Sequence, residues 1–270
     1  MAERPRRTDV VAAYDLGVEA YDVLWSPVIL PPAVAVVEAL ALAPDARVVD
    51  VGAGAGGLLP TIRACAPAST VIAVDASLQM LRTARTGHGA TAVQADALHL
   101  PVAGAVADAV LLAFVLFHLG DPVRGLAEAA RVLRRGGRVG TVTWTTAEGN
   151  LRASAQFDRV LTDAGAPLPP VRRVDTGLES AGAVEGTLGR AGFAVDEVWL
   201  VELRKQWARD DLWALLLGGG VNRTRLAALD DAARAQALAR GRAQLDDQPA
   251  EAFSWWGEVV CAVATKAAGS

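Results

Sequence analysis

The chain has 270 residues, 52% of them hydrophobic and 21% charged, with a net charge of -4 at pH 7. That balance supports a sizeable buried core and excludes wholesale disorder; the acidic sum, with no basic stripe, excludes a general nucleic-acid binder. Two cysteines (Cys65, Cys261) and three histidines (His88, His99, His118) stand in no metal-ligand spacing, so neither a disulfide framework nor a metal site is expected.

The short "RPRR" from Arg4 to Arg7 reads as a solvated tail, and no apolar run follows it, so no signal peptide is expected. From Thr8 to Leu42 the chain reads as helical. Tyr14, Val18, Tyr21 and Trp25 recur at i, i+4, i+7 and i+11 on one face, and Pro31 and Pro32 are expected to open a second helix. From Arg47 a strand–loop–helix rhythm begins. "RVVDVG" is a first strand ending in glycines, and "GLLPTIRACA" is its helix. "TVIAVD", Thr70 to Asp75, is a second strand, with Ser77 capping the helix that follows. "ATAVQAD" is a third strand ending near Asp96. "ADAVLLAFV" is a fourth, apolar enough to be buried on both faces. The run "AVLLAFVLF" within it is far short of the ~20 residues of a membrane span, so no span and a cytoplasmic location are expected. Asp121 caps the helix "DPVRGLAEAARVLRR", which is expected to end at Gly136 and Gly137. "RVGTVTW" is the fifth strand. Beyond Trp144 the order loosens: a helix near Ala153–Ala164, another ending at Gly192, a sixth strand "AVDEVWLVEL", helices from Asp210 to about Leu245, and a last strand "EVVCAVATK".

Strands alternating with helices imply a doubly wound parallel sheet, which binds ligands outside the carboxyl ends of its strands. Those ends carry Gly52–Gly57, Asp75, Asp96, Phe114–His118 and Trp144. The loop "DVGAGAGG" fits two frames. Gly52, Gly54 and Gly57 spell the dinucleotide fingerprint G-x-G-x-x-G; Asp50, Gly52, Gly54 and Gly56 spell D-x-G-x-G-x-G. The neighbouring charge separates them. A carboxylate at Asp50 works against a pyrophosphate, which helix N-termini attract, but helps the ammonium and sulfonium of S-adenosyl-L-methionine (SAM). Asp75 suits a ribose under either frame, and Asp96 with the Ala97 N–H suits an adenine. Asp108 begins the fourth strand, at the opposite rim, and reads as structural. His88 and His99 read as solvated loop residues. His118, on the ligand rim, is a candidate general base or a packing residue.

"VVDVGAGAGG", "VIAVDASLQML", "VQADALHLPV", "ADAVLLAFVLFHLGDP" and "AARVLRRGGRVGTVTW" together resemble the successive motifs of class I SAM-dependent methyltransferases, above all the type 11 relatives of the ubiquinone/menaquinone-biosynthesis enzymes. The resemblance runs from about Tyr14 to Trp144. It implies a Rossmann-like, mostly parallel seven-stranded sheet with an antiparallel last strand, and SAM as cofactor with S-adenosyl-L-homocysteine as product. It implies that Asp50, Gly52, Gly54 and Gly56 border the methionine part, Asp75 the ribose, Met80 the ribose or adenine, and Asp96 with Ala97 the base, with Phe114 also on the cofactor side. Tyr14, Tyr21 and Trp25 would form a lid stripe over the substrate or a face packed on the core, and Trp144 would touch substrate. The frequent His-His of the family is Phe117-His118 here, and its Lys-Pro-Gly-Gly is Arg134 to Gly137.

The expected organisation is one domain over 1–270: a helical lid at 8–42, a SAM-binding core at 45–145, and substrate-side insertions with the last strands at 146–270. The expected partner is a small-molecule methyl acceptor, of quinone or secondary-metabolite type; oligomeric state is open, a homodimer included. Two rivals stand beside this reading: an NAD-dependent oxidoreductase, on the literal G-x-G-x-x-G, and a non-catalytic protein of the same fold.

Overall fold

Seven strands pair into one sheet in the computed structural model, which describes residues 7–88, 90–149, 151–167 and 177–267. The strands are β1 (Arg47–Val51), β2 (Thr70–Asp75), β3 (Thr91–Gln94), β4 (Ala107–Ala113), β5 (Leu133–Glu148), β6 (Phe193–Gln206) and β7 (Ser254–Lys266). The α-helices are α1 (Arg7–Ala20), α2 (Ser26–Ala39), α3 (Leu59–Cys65), α4 (Leu78–His88), α5 (Pro122–Val132), α6 (Arg152–Asp163), α7 (Ala181–Arg190), α8 (Arg209–Gly218), α9 (Gly220–Ala227) and α10 (Asp231–Asp246). The order across the sheet is β3-β2-β1-β4-β5-β7-β6. The pairings Val49↔Ile72, Ala73↔Ala92, Val49↔Val110 and Val110↔Val139 are parallel. Lys266 Nζ donates to the Leu133 carbonyl and Thr145 Oγ1 to Glu258, so β7 descends beside β5 as β5 ascends: the sheet is mostly parallel, with antiparallel pairing at its last strands, as expected.

By contacts the chain forms two compact units. One comprises Met1–Val28, Ala147–Arg172 and Leu203–Gly257; the other comprises Ile29–Thr146, Arg173–Glu202 and Glu258–Ser270.

In the second unit the fully buried residues Ala109, Val110, Leu111 and Leu112 make β4 a central strand, in keeping with its unbroken apolar run. The chain leaves β1 toward β2 on one side and resumes on the other side at β4, so the strand order reverses between β1 and β4. That crevice is where such sheets take ligands. At the opposite rim Asp108 accepts from the Arg47 N–H at 2.7 Å and pairs with the Arg134 guanidinium, a structural role as expected. Gly140 lets Val36 of α2 and Leu40 just past it come close to β5, and Arg138 Nη1 caps that helix by donating to the carbonyls of Ala39 and Leu40 at 3.0 and 2.8 Å.

In the first unit the small residues Ala13, Gly17 and Ala20 on one face of α1 admit the backbone of Gly218 and Gly220. A Cβ on Gly220 would overlap the Ala13 carbonyl, and one on Gly218 the Ala20 side chain. Arg225 of α9, 1% exposed, is bound by four oxygens: Pro167 O at 2.9 Å, Asp158 Oδ1 at 2.9 Å, Asp158 O at 3.3 Å and Thr162 Oγ1 at 3.0 Å.

Several expectations are corrected. Pro31 and Pro32 lie inside α2, whose first turn holds Pro27; the irregularity sits upstream, where Tyr21–Trp25 forms a π-helical turn and the Ser26 N–H donates to the Tyr21 carbonyl. Helix α5 stops at Val132, before the double glycine, because Leu133 is drawn into pairing with Ala107. Strand β3 ends at Gln94, two residues before Asp96, and β5 continues past Trp144 to Glu148. His88 closes α4 instead of lying in a loop. Arg7 belongs to α1, whereas Arg4–Arg6 of the expected tail lie outside the described residues. Among the described residues one continuous helical stretch, Val10–Ala39, is long and apolar enough to cross a membrane by length and composition; Ile29, Pro32, Ala33, Val36 and Val37 within it are buried in the protein.

Candidate functional site

The site is built on the carboxyl ends of four adjacent strands, β3, β2, β1 and β4. The loop after β1 is tied down by its own backbone. Gly52 N–H and Ala53 N–H both donate to the Val74 carbonyl, at 2.7 and 3.1 Å, and Gly56 N–H donates to Ala53 O at 2.9 Å. Gly52, Gly54 and Gly56 have φ values of 71°, 54° and 83°, in the left-handed region that favours glycine, and Gly57 does not. The conformation thus falls on the D-x-G-x-G-x-G frame. The glycines differ in surroundings: a Cβ on Gly52 would overlap the Val115 side chain beyond β4, whereas one on Gly54 would meet no atom within 4 Å. The first closes the loop onto the strand switch, and the second leaves open backbone facing free space.

Asp75 organises the loop. Its Oδ2 accepts from Gly54 N–H at 2.8 Å and its Oδ1 from Ser77 N–H at 2.7 Å. Ser77 in turn caps α4, accepting from Met80 N–H at 3.1 Å, and Met80 is buried behind it. A carboxylate oxygen can accept more than one hydrogen bond.

Asp50 lies in β1 itself, 2% exposed, and its Oδ2 has no hydrogen-bond partner among the described residues. Burial, and then the charge of Asp75, push its carboxyl up to about 7. An orphaned buried carboxylate behind a glycine cradle is a costly arrangement that a cation would relieve.

Asp96 lies past the end of β3. Its Oδ1 accepts from Leu98 N–H at 3.0 Å and its Oδ2 is 3.7 Å from His99 Nδ1. This turn presents the peptide of Ala97, whose methyl packs on the apolar core of the unit. Phe114 follows β4 with φ 59°, a strained value for an aromatic residue, held by its N–H donating to Val142 O at 2.8 Å. Its ring lies 5.2 Å from that of Trp144. His118 closes the short 3₁₀ turn Leu116–His118, its ring 4.2 Å from Phe117; burial pushes its imidazole down to about 4. It is therefore neutral at pH 7, with a weak affinity for protons. Asp121 caps α5 by accepting from Arg124 N–H at 3.0 Å.

The four strand ends and the turns that follow them carry Asp50, Gly52, Gly54, Gly56, Asp75, Met80, Asp96, Ala97, Phe114 and His118, with Trp144 of β5 beside Phe114, all within the second unit. Tyr14, Tyr21 and Trp25 belong to the first unit. There Tyr14 packs edge-on to Tyr21 at 5.6 Å, and Trp25 packs against Trp207 and Trp255. The sequence reading placed Ser77 as a cap and Val115 on the rim but missed the Ser77 N–H bond to Asp75 and the contact of Val115 with Gly52, and it missed Trp207. Only Ser77, as a helix cap, carried a local signal.

An acid in the sheet, three left-handed glycines and a second acid at the next strand end, under a parallel sheet turned back at its last strands, compose a Rossmann-like fold shared with solved methyltransferases. Residues 49–140 match the family described as a methyltransferase domain. Over 123 residues the chain is 37% identical to an uncharacterized methyltransferase of Mycobacterium tuberculosis, a stretch covering 45% of this chain and 49% of that one. Over 110 residues it is 40% identical to the demethylmenaquinone methyltransferase of Deinococcus radiodurans, covering 39% and 45%. The chain spans about half the length of the curated relatives it matches. Among solved structures, the [4+2]-cyclase SpnF superposes with a TM-score of 0.61 at 19% identity, covering 98% of both chains.

Proposed function

We propose that the chain transfers the methyl group of SAM to a small-molecule acceptor. The observation that carries this reading is the buried Asp50 carboxyl, whose Oδ2 has no hydrogen-bond partner among the described residues, behind a glycine loop left open at Gly54. A positively charged methionine part satisfies Asp50; a pyrophosphate at the same loop would face Asp50 and Asp75 together. SAM supplies an electrophilic methyl on a sulfonium, an already activated donor. The residues then have three tasks: to bind, to orient and to exclude water. The Gly54 backbone admits close approach to the ligand, Asp75 accepts ribose hydroxyls, the Asp96–Ala97 turn receives the adenine with Met80 beside it, and the strained Phe114 with Trp144 walls the site. His118, with its depressed proton affinity, suits a neutral polar contact better than a general base. The demethylmenaquinone relatives support a quinone-type acceptor.

Calorimetry with S-adenosyl-L-homocysteine and with NADH tests this reading: the first is expected to bind and the second not. Binding of NADH alone would replace it with the oxidoreductase reading. A second reading, a protein of this fold that holds SAM without methyl transfer, is favoured by the likeness to a cyclase. Incorporation of label from methyl-labelled SAM into a naphthoquinol acceptor would exclude it.

A further inference from the structure

The turn that carries Asp96 and Ala97 is gripped by one face of α5, within the second unit. Asp96 first closes the turn on itself: its carbonyl accepts from His99 N–H at 2.9 Å and its Oδ1 from Leu98 N–H at 3.0 Å. The chain then runs beside α5 in the direction of the helix. Arg124, Glu128 and Arg131 stand at i, i+4 and i+7, on one face of that helix. Each takes hold of the chain just past the turn. Arg124 Nη2 meets His99 Nε2. Glu128 Oε2 accepts from Leu100 N–H at 2.9 Å. Arg131 donates through Nη2 to Leu100 O and through Nη1 to Val102 O, both at 2.9 Å, and its own carbonyl accepts from Ala105 N–H at 2.9 Å.

The grip is stiff in the middle. Leu100 has both of its backbone polar groups held by charged side chains, and those side chains are forked together: Arg131 Nε donates to Glu128 Oε1 at 2.7 Å and Nη2 to Glu128 Oε2 at 2.9 Å. A bidentate pair fixes the orientation of both partners, so Leu100 cannot turn without breaking a charge-assisted bond. The hydrogen bond from Arg131 is the main cause that keeps the Glu128 carboxyl below its usual range; burial opposes it, and the Leu100 N–H assists. At the other end an arginine can only donate, so His99 Nε2 accepts and the ring's proton lies on Nδ1. That is the nitrogen 3.7 Å from Asp96 Oδ2. The face of α5 therefore reaches Asp96 twice, through the His99 ring and through the backbone at Leu100.

We infer that Arg124, Glu128 and Arg131 are positioning residues for the cofactor's base: through His99 and Leu100 they hold the Asp96 turn in the one arrangement that accepts the amino group of an adenine, and so set the preference for a 6-amino over a 6-oxo purine. This rests on the cofactor reading proposed above. An adenine offers Asp96 a donor; a hypoxanthine offers it an oxygen, and two facing acceptors go unpaired.

The test is calorimetry on the full chain with S-adenosyl-L-homocysteine and S-inosyl-L-homocysteine, which differ only in the base. The native chain is expected to prefer the first by at least about tenfold. Glu128→Ala is expected to weaken the first about three- to tenfold, the worth of one ordinary hydrogen bond, and the second by less than about twofold. Glu128→Gln keeps an acceptor for the Leu100 N–H and is expected to recover most of the preference. In an Asp96→Ala background, Glu128→Ala is expected to add no further loss, because the residue through which it acts is gone. Arg124→Ala, at an exposed position, is expected to shrink the preference about two- to fivefold with the melting temperature unchanged. A role in stability alone would lower both affinities together and would persist without Asp96. Equal losses for both ligands, an undiminished preference in Glu128→Ala, a full loss in the Asp96→Ala background, or a native chain indifferent to the base would each overturn the inference and leave the cofactor reading standing. Should Glu128→Ala fold poorly, Arg124→Ala decides, and an unchanged preference there overturns the inference. A native chain that binds neither ligand overturns the cofactor reading and this inference with it.

Discussion

Two carboxylates of similar sequence context do different work because of where the backbone leaves them. Asp75 sits at a strand end and accepts from two backbone N–H groups; Asp50 sits one strand over, inside β1, with a bare oxygen. The Asp50 carboxyl, raised to about 7, is half protonated at neutral pH in the free chain, and an arriving ammonium draws it back down. Below its free pKa, binding must therefore expel a proton. The affinity for S-adenosyl-L-homocysteine is expected to rise by up to about tenfold per pH unit below pH 7 and to level off above it. Calorimetry across pH 5.5 to 8.5 checks this, and Asp50→Asn is expected to flatten the profile. The same shift has a folding consequence of opposite sense. A native pKa above the unfolded value gives stability that is full below the unfolded pKa of 3.8 and lost as pH rises through 7. Asp50→Asn is thus expected to melt above the native chain by a margin that widens from pH 4 to pH 7 and then holds. Asp75→Ala, which removes the anchor of Gly54 and, under the function proposed above, the ribose acceptors, is expected to weaken the same ligand by about 1.5–3 kcal/mol, with Asp75→Asn between it and the native chain. The pairing of an acid with glycines was legible in the sequence because charge sign is local. That Asp50 would be orphaned was not, since it depends on which side chains from β2 and β4 fail to reach it.

At the scale of elements, the glycine loop separates two requirements that a motif merges. Gly52 and Gly54 both need positive φ, so alanine at either is strained by about 1–2 kcal/mol. Only at Gly52 does the new methyl also strike Val115. Gly52→Ala is expected to destabilise the fold further, by about 1–3 kcal/mol of overpacking, and Val115→Ala should restore part of that loss. Gly54→Ala is expected to keep most of its stability and lose cofactor binding, because its methyl projects into the open space. Urea melts and calorimetry on the three variants distinguish these outcomes. Strand starts, caps and alternation were legible: β2 ends at Asp75, and Asp121 and Ser77 cap their helices as read. Element ends decided by pairing were not. Leu133, Arg134 and Arg135 continue a helical pattern, yet Leu133 gains a partner in Ala107 by leaving it. The π turn at Tyr21–Trp25 has no proline or glycine to announce it, whereas Pro31 and Pro32, which do announce a break, sit within a continuing helix.

Across the whole molecule, local signals decay where segments far apart in sequence must meet. The second unit is mostly a run of consecutive strand–helix pairs, and its rim could be assembled on paper from strand order alone. The first unit is gathered from three stretches, Met1–Val28, Ala147–Arg172 and Leu203–Gly257, and nothing in the composition of any one of them names the others. Arg225 shows what holds such a unit. Its guanidinium, from the third stretch, is bound entirely by oxygens of the second, at Asp158, Thr162 and Pro167. The three groups surround it from different directions, which a planar five-donor fork can serve at once and an ammonium cannot. Arg225→Ala empties a buried position and breaks its charge-assisted hydrogen bonds to oxygens on exposed residues, and is expected to cost about 1.5–3 kcal/mol in urea unfolding. Arg225→Lys keeps the charge beside Asp158 but abandons at least one of the remaining oxygens, and should fall between the two. Were the charge alone responsible, the lysine variant would match the native chain; were bulk alone responsible, Arg225→Met would do as well as lysine. The order native, lysine, methionine, alanine is the one that the fork geometry requires.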